Sequence, residues 1–519
     1  MRRTATLLIL LLIAPAHSQP AVAAAAVDPH LIANVYVTAL AFMAPRTLEP
    51  EPIAQLSIWG LHGLTALDPN LETQLHDNKL QLTDGARLLA EQPPPAINDI
   101  NAWAATASEF AAAAAGSSAP VRRAGTQGVV QSFFDELFNH LDPYSRYVGP
   151  SDANEDRERR SGEAGAGLQL IQRGPAIVVA SAISDGPGAR AGIRPGDMIV
   201  SVDGQQVQGK DARLVANWID GPEQTTVLVT WRAHDGRQHL AELVRAMVPP
   251  ETVYSQRSDN VLVIQITAFN RSTAAHLAAA IQDGMAAAHP PDGIVLDLRD
   301  NPGGLLRQAV EAADTLLGAG IVATTSGRDP DATRIWRSSA GDLAEYVPVV
   351  VLVDGRTASA AEILAAALAD RGRAVVVGSS TLGKGLVQTI APLPDGGELF
   401  VTWSRVLAPR GWPLQGLGVL PQVCTSLGLD SLDWQLATLS QGRGPMAPAL
   451  AAERAARAPL SPAQVIAIRN ACPAAGGRDA DMDAARALIR DPATYAAALL
   501  PPMRDQNEVS GISSQKLDH

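Results

Sequence analysis

Val351-Leu-Val-Asp-Gly-Arg-Thr-Ala-Ser-Ala-Ala-Glu362 reads as the end of a buried strand, a tight bend and the first turn of a helix. The apolar run stops at Asp354-Gly355, and an alanine-rich stretch then continues to Asp370. Ser359 opens that helix, where it sees the positive end of the dipole and where the first-turn N–H of Ala360 has no intrahelical partner. Such a serine suits an attacking hydroxyl whose oxyanion product needs N–H donors. The same residues, Ser359-Ala-Ala-Glu362, also spell a capping box, which is structural only. On this segment alone both readings stand. Outward from it, strand patterns at Val261–Ile266, Gly293–Leu298, Pro348–Val353 and Ala374–Val377 alternate with helix patterns at Ala274–Ala288, Leu305–Leu317 and Ala360–Ala369. That alternation predicts a layered α/β domain around a buried sheet.

Two further turns of the same unit carry chemistry. In Val295-Leu-Asp-Leu-Arg-Asp-Asn-Pro-Gly-Gly304, Pro302 fixes the approach to a helix, and two glycines allow a ligand to reach the backbone. N–H groups at such a helix start bind anions, an oxyanion included, although an ordinary Gly-rich turn would look alike. In Gly378-Ser-Ser-Thr-Leu-Gly-Lys-Gly385, Lys384 sits in a glycine-flanked turn where loss of water disfavours its charge. To act as a base near neutral pH it must fall roughly 3 units from a reference near 10.4, about 4 kcal/mol. Gln388 lies four positions on, where its amide could orient the amine. The rival reading is a phosphate-binding P-loop, since Gly378-x4-Gly383-Lys384 nearly completes one. Gly385 stands where Mg²⁺ binding needs Ser or Thr, and the following residues read as a strand, so the rival is set aside.

The whole chain bounds these readings. Its 519 residues exceed one compact core, and a hydrophobic share of 46% excludes wholesale disorder. A net charge of −12 argues against nucleic-acid and anionic-membrane binding. Met1-Arg-Arg3, the apolar stretch Thr4–Ala16 and Ala16-His-Ser18 read as a secretory signal peptide over 1–18, too short to span a bilayer. Cleavage would remove two arginines and leave −14. Cys424 and Cys472 are the only cysteines, and in an exported protein two such residues pair or remain as buried thiols. No histidine or cysteine spacing calls for a metal.

The chain divides into a signal peptide over 1–18, a helical N-terminal region over 19–120, a helical part of the core over 121–160, a compact β-rich unit over 161–247, the catalytic α/β core over 248–423, and a helical C-terminal region over 424–519 with a frayed tail from Gln506. Both flanking regions match no readable pattern.

Together the three turns resemble the carboxyl-terminal processing peptidases, or tail-specific proteases, across Leu141 to Val423. The resemblance rests on Thr357-Ala-Ser-Ala-Ala-Glu362, Gly383-Lys-Gly-Leu-Val-Gln388, Leu298-Arg-Asp-Asn-Pro-Gly-Gly304, Leu141-Asp-Pro-Tyr-Ser145 and Gln415-Gly-Leu-Gly-Val-Leu-Pro421. It implies a multidomain α/β protein with a crotonase/ClpP-like core and an inserted PDZ domain. It further implies nucleophile Ser359, general base Lys384 and supporting Gln388, with oxyanion donors from Gly303, Gly304 and Ala360. Glu362, Asp370 and Thr381 are expected as supporting groups. Thr357 and Ala361 replace serines of the family pattern, and Asp354 stands where Asn is usual, which changes the charge near Ser359. The 161–247 unit resembles the family's PDZ domain, with Gly165-Ala-Gly-Leu168 as the loop that captures a terminal carboxylate. No cofactor or metal is implied. The expected partners are exported proteins or peptides with exposed C-termini, in the periplasm or outside the cell, and terminal helices of this family suggest a homodimer. A catalytically silent PDZ scaffold and a small-substrate esterase or amidase remain as alternatives.

Overall fold

The computed structural model describes residues 27–339 and 341–501. The expected signal peptide and the polar tail from Gln506 lie outside the described residues.

The chain forms two compact units. The first includes residues 52–141 and carries helices Ile53–Leu67, Ile100–Ser117 and Ala119–Asn139. Tyr36 stacks on Phe133 at 4.0 Å in its core. One part of this unit departs from the expected all-helical region. Leu71–His76, Lys79–Asp84 and Arg87–Gln92 form a three-stranded antiparallel meander. Asp77 and Asn78 both take positive φ (46° and 57°), which is the turn a two-residue hairpin needs. Leu80 and Leu82 are buried while Lys79 is exposed, a period of two within a stretch otherwise read for helix.

The second unit starts at Asp142, apart from the short stretch 41–51. A strand, Arg146–Val148, is followed by helix Pro150–Ser161. A small β-domain comes next, whose sheet runs in the order Gln238–Val244, Thr226–Arg232, Met198–Val202, Ala176–Ala182, Leu168–Arg173. The last of these is an edge strand, and helix Ala212–Ile219 packs on it. Ile177, Val179, Ile199, Val215 and Val229 fill the core between them.

The α/β core holds a six-stranded sheet ordered Val253–Ser258, Val261–Ile266, Gly293–Asp297, Val349–Val353, Ala374–Gly378, Val423–Cys424. The first pair is antiparallel and the rest are parallel. Three central strands are buried at every residue, as continuous Val/Ile/Leu runs require when both faces are covered. Helices Thr273–Met285, Leu306–Asp314 and Ala360–Asp370 cover one face. The last, here the serine helix, is buried along its whole length, which its alanines permit. An antiparallel second sheet joins Arg334–Ser338, Gly320–Gly327, Glu398–Leu407 and Leu386–Pro392, and Arg146–Val148 pairs with its long strand.

The C-terminal helices, illegible as a pattern, cover the other face: Leu432, Leu439, Ala485, Leu488 and Ile489 pack on Val261, Val295, Val350 and Val375. Cys424 and Cys472 are joined (S–S 2.04 Å) across 48 positions, a loop that contributes about 4 kcal/mol in the chain-entropy picture. Among the described residues no helix is long and apolar enough to cross a membrane.

Candidate active site

Ser359 lies where the strand Val349–Val353 gives way to the serine helix. The bend is built around Asp354, whose carboxylate accepts the N–H groups of Asp300, Arg356 and Thr357 at 3.1, 3.0 and 2.9 Å and that of Gly477 at 3.2 Å. Every one of these partners is a donor, so a carboxylate fits where an Asn amide would turn a donor toward donors. Ser359 itself takes φ 55° and ψ −117°, a strained conformation for a residue with a side chain. Both sides of the capping box are in place, with Glu362 accepting the Ser359 N–H at 2.7 Å, but the Ser359 side chain stands at the Glu362 N–H without closing a cap hydrogen bond. The hydroxyl is thereby left to the cavity beside it.

Lys384 follows the strand Ala374–Gly378. After Lys384 the chain enters the strand Leu386–Pro392, not a helix, which removes the P-loop reading. Its amine stands 4.9 Å from the centre of the Tyr144 ring and, among the described residues, makes no ion pair. Burial holds its pKa below the ordinary lysine range, and the charge of Arg146 lowers it further, against Glu362 and Asp142, which raise it.

One carboxylate ties the two turns together. Fully buried Glu362 accepts from the backbone N–H of Ser359 (2.7 Å), Gly383 (2.7 Å) and Lys384 (2.9 Å), and from the Thr381 hydroxyl. Burial pushes its pKa up while these four donors pull it down, and burial dominates. Thr381 in turn accepts the Val419 N–H at 2.8 Å. Glu362 and Thr381 thus fix the backbones from which hydroxyl and amine project.

Ser359, Lys384, Gln388, Gly303 and Gly304 line a single cavity of about 480 Å³. Leu305, Ile363, Leu386, Ile390 and Val406 make its apolar part, and Arg146, Arg159 and Arg160 its basic part. Hydroxyl and amine share this space without a direct hydrogen bond.

Three expectations change. Gly303 donates its N–H to Asn301 Oδ1 at 2.8 Å, so it cannot also meet an oxyanion. Its function is close approach: at φ 94°, a Cβ would fall 2.8 Å from Ser359 Cβ and 2.9 Å from the Ala360 nitrogen. Gly304 and Ala360 keep N–H groups with no acceptor among the described residues. Asp370 does not support the site. It lies eleven residues along the helix, roughly 16 Å away at 1.5 Å per residue, where it accepts from Arg454 (3.1 Å) and Trp412 (2.8 Å). Gln388 gives its amide protons to Thr402 Oγ1 (3.1 Å) and Leu386 O (3.2 Å), not to Lys384. Thr402 then donates to Asp142 at 2.6 Å.

Asn301, Asp142, Tyr144 and Arg146 are site residues that the residue-level reading passed over, though all stand in or beside the quoted motifs. The C-terminal segment is the other omission. Ala475 O accepts the Gly355 N–H at 2.7 Å and the Ser379 hydroxyl at 2.9 Å, and Arg469 donates to Thr381 O at 2.9 Å. These contacts brace both the Ser359 turn and the Lys384 turn, and no sequence period signals them.

At the β-domain, Gly165, Gly167 and Leu168 border a second cavity of about 360 Å³. Ala166 turns inward and is fully buried. The carbonyls of Ala166 and Gly167 accept N–H groups from Gly188 (2.8 Å) and Ile183 (2.9 Å), which folds the loop back beside the edge strand. Glu155, Glu158, Glu163 and Asp220 also border this cavity.

Comparison with known proteins decides the family. A 302-residue stretch is 34% identical to the carboxy-terminal-processing protease of Bartonella bacilliformis, covering 57% of this chain and 69% of that protein. The chain belongs to peptidase family S41. The S41 profile matches residues 260–425 of this S41 peptidase, and a PDZ-domain profile matches 178–232. A probable CtpA-like serine protease of Staphylococcus haemolyticus is 33% identical over 54% of this chain and 56% of its own length. Among solved structures, the photosystem II D1 C-terminal processing protease aligns with TM-score 0.34 and 28% identity, over 59% of this chain and 86% of that one. The S41 peptidase is a serine protease with an inserted PDZ domain, and the silent-scaffold alternative has no support. Among its described residues no group of His, Cys, Asp or Glu is placed to hold a metal ion.

Proposed function

We propose that this S41 peptidase cleaves proteins or peptides whose C-terminal tails dock on its PDZ edge strand, using Ser359 as nucleophile and Lys384 as general base. The observation that carries the reading is a strained, uncapped Ser359 hydroxyl sharing one cavity with a half-buried amine of lowered pKa. The neutral amine takes the Ser359 proton as the hydroxyl attacks the scissile carbonyl. The carbonyl electrons move to oxygen, where the N–H groups of Gly304 and Ala360 receive the charge. Collapse expels the leaving amine, which takes the proton from Lys384, and an acyl-enzyme remains. Water then attacks, Lys384 accepting its proton and passing it to the departing Ser359 oxygen, and the acid product leaves a free hydroxyl and a neutral amine.

The tail is the other half of the proposal. An extended peptide adds to the free edge of Leu168–Arg173, and its carboxylate reaches the Gly165–Leu168 loop. We place this activity in an exported compartment, for which the Cys424–Cys472 bridge and the signal-like N-terminus are the support. A panel of tail peptides digested by wild type and by Ser359→Ala, with fragments mapped by mass spectrometry, tests it. Cleavage by wild type alone is expected, and lost when the tail is amidated. Equal cleavage by Ser359→Ala overturns it.

A further inference from the structure

The wall of the catalytic cavity carries more positive charge than its neighbours balance. Arg157 and Arg160 reach Glu398 at 3.1 and 2.7 Å, and Arg159 binds Asp156. Arg146 has only a distant share of Asp156, at 4.0 Å. It is held in place by other means. Its guanidinium lies 4.0 Å from the centre of the Phe400 ring, and Nη1 donates to Tyr144 O at 3.3 Å. Tyr144 is the residue whose ring faces the Lys384 amine at 4.9 Å. The cation and the amine therefore both meet Tyr144, one at its backbone carbonyl and one at its ring, and both line one cavity.

We propose that Arg146 is a positioning residue for the reaction: a fixed cation, held by Phe400 and Tyr144, that keeps the Lys384 amine unprotonated and so ready to accept the serine proton. Two carboxylates act on Lys384 in the other direction, Glu362 and Asp142, and both favour its charged form. Glu362 is already satisfied by four donors and Asp142 by Tyr144, Ser145 and Thr402, so neither needs the amine as a partner. Arg146 supplies the opposing charge. An arginine suits this place because it stays protonated at any pH the enzyme meets and sits over the Phe400 ring. The side chain is partly open to solvent, so its field is screened by salt.

The proposal rests on Lys384 being the base, and the test separates the two. The second-order rate at which a fluorophosphonate probe phosphonylates Ser359, with loss of fluoride, is followed against pH for the full-length wild type, Arg146→Gln, Arg146→Lys and Lys384→Ala. Thermal melts of each variant check the fold. In Arg146→Gln the rising limb is expected to move to higher pH by about half a unit to one unit at low salt, with the plateau rate retained. That shift is expected to shrink in 1 M salt, and Arg146→Lys to keep the wild-type limb. A merely structural role lowers the plateau and moves no limb. A folded Arg146→Gln enzyme with an unmoved limb overturns the proposal while leaving Lys384 as base. A Lys384→Ala enzyme labelled at the wild-type rate overturns the reading beneath it.

Discussion

The catalytic cavity and the PDZ cavity share a wall, helix Pro150–Ser161, and differ in sign. Asp156, Arg159 and Arg160 of that helix border the first, together with Arg146. Glu155, Glu158 and Arg159 border the second, together with Glu163 and Asp220. The same physics then acts on opposite groups. A basic, half-dry wall favours a neutral amine at Lys384. An acidic, half-dry wall favours a neutral acid at Asp220, whose pKa is pushed up to about 6, first by burial and then by Glu163, against Arg245. Chemistry therefore gains as pH rises through the lowered lysine pKa. On the proposed tail docking, capture should gain as pH falls below about 6, because ionised Asp220 would repel an arriving carboxylate.

The sharpest division of the two cavities comes from Lys384→Ala. Cleavage should fall on the order of 10⁴-fold or more, while the affinity for a labelled tail peptide stays at the wild-type value. Loss of both together would mean that the cavities do not work separately. Next in size is Glu362→Gln, which turns an amide N–H₂ either toward the N–H groups of Ser359 and Lys384 or toward the Gly383 N–H and the Thr381 hydroxyl. A fall of about 10²-fold in kcat is expected, with KM little changed, since displacement of the two turns harms alignment and not docking. Wild-type kcat in this variant would show that Glu362 positions nothing.

The smallest effect belongs to the acidic side. A Cβ on Gly165 would fall 2.0 Å from Asp220 Oδ1, so this carboxylate lies against the loop itself. Asp220→Asn should tighten tail binding above pH 6 by about tenfold or less and leave it unchanged near pH 4.5, where the wild-type residue is protonated. Fluorescence anisotropy of a tail peptide across this range reads it. A wild-type affinity that is flat with pH would erase the contrast between the cavities.

What the sequence discloses about each region follows from the range of its interactions. The strand-to-helix bend at Ser359, the Asn301-Pro-Gly-Gly304 turn and the Lys384 turn are local, and motif and periodicity expose them. The strand Val261–Ile266 is likewise found where its residue pattern places it. Contacts between distant segments leave no such trace. The Asp370 carboxylate is taken by an arginine 84 positions on, and the turns that carry Ser359 and Lys384 are held by backbone near Ala475. The meander at Leu71–Gln92 was hidden differently, since its short alternation lies between two strong helical periods.

The central claim is that the Lys384 amine is uncharged at a pH where an ordinary lysine is not. The chain has four lysines, Lys79, Lys210, Lys384 and Lys516, so NMR of ¹³Cε-labelled lysine in the full-length protein gives four resolved titrations, with Lys384→Met for assignment. Lys384 is expected to titrate well below the lysine reference of about 10.4. A Lys384 midpoint at or above that reference would contradict the account.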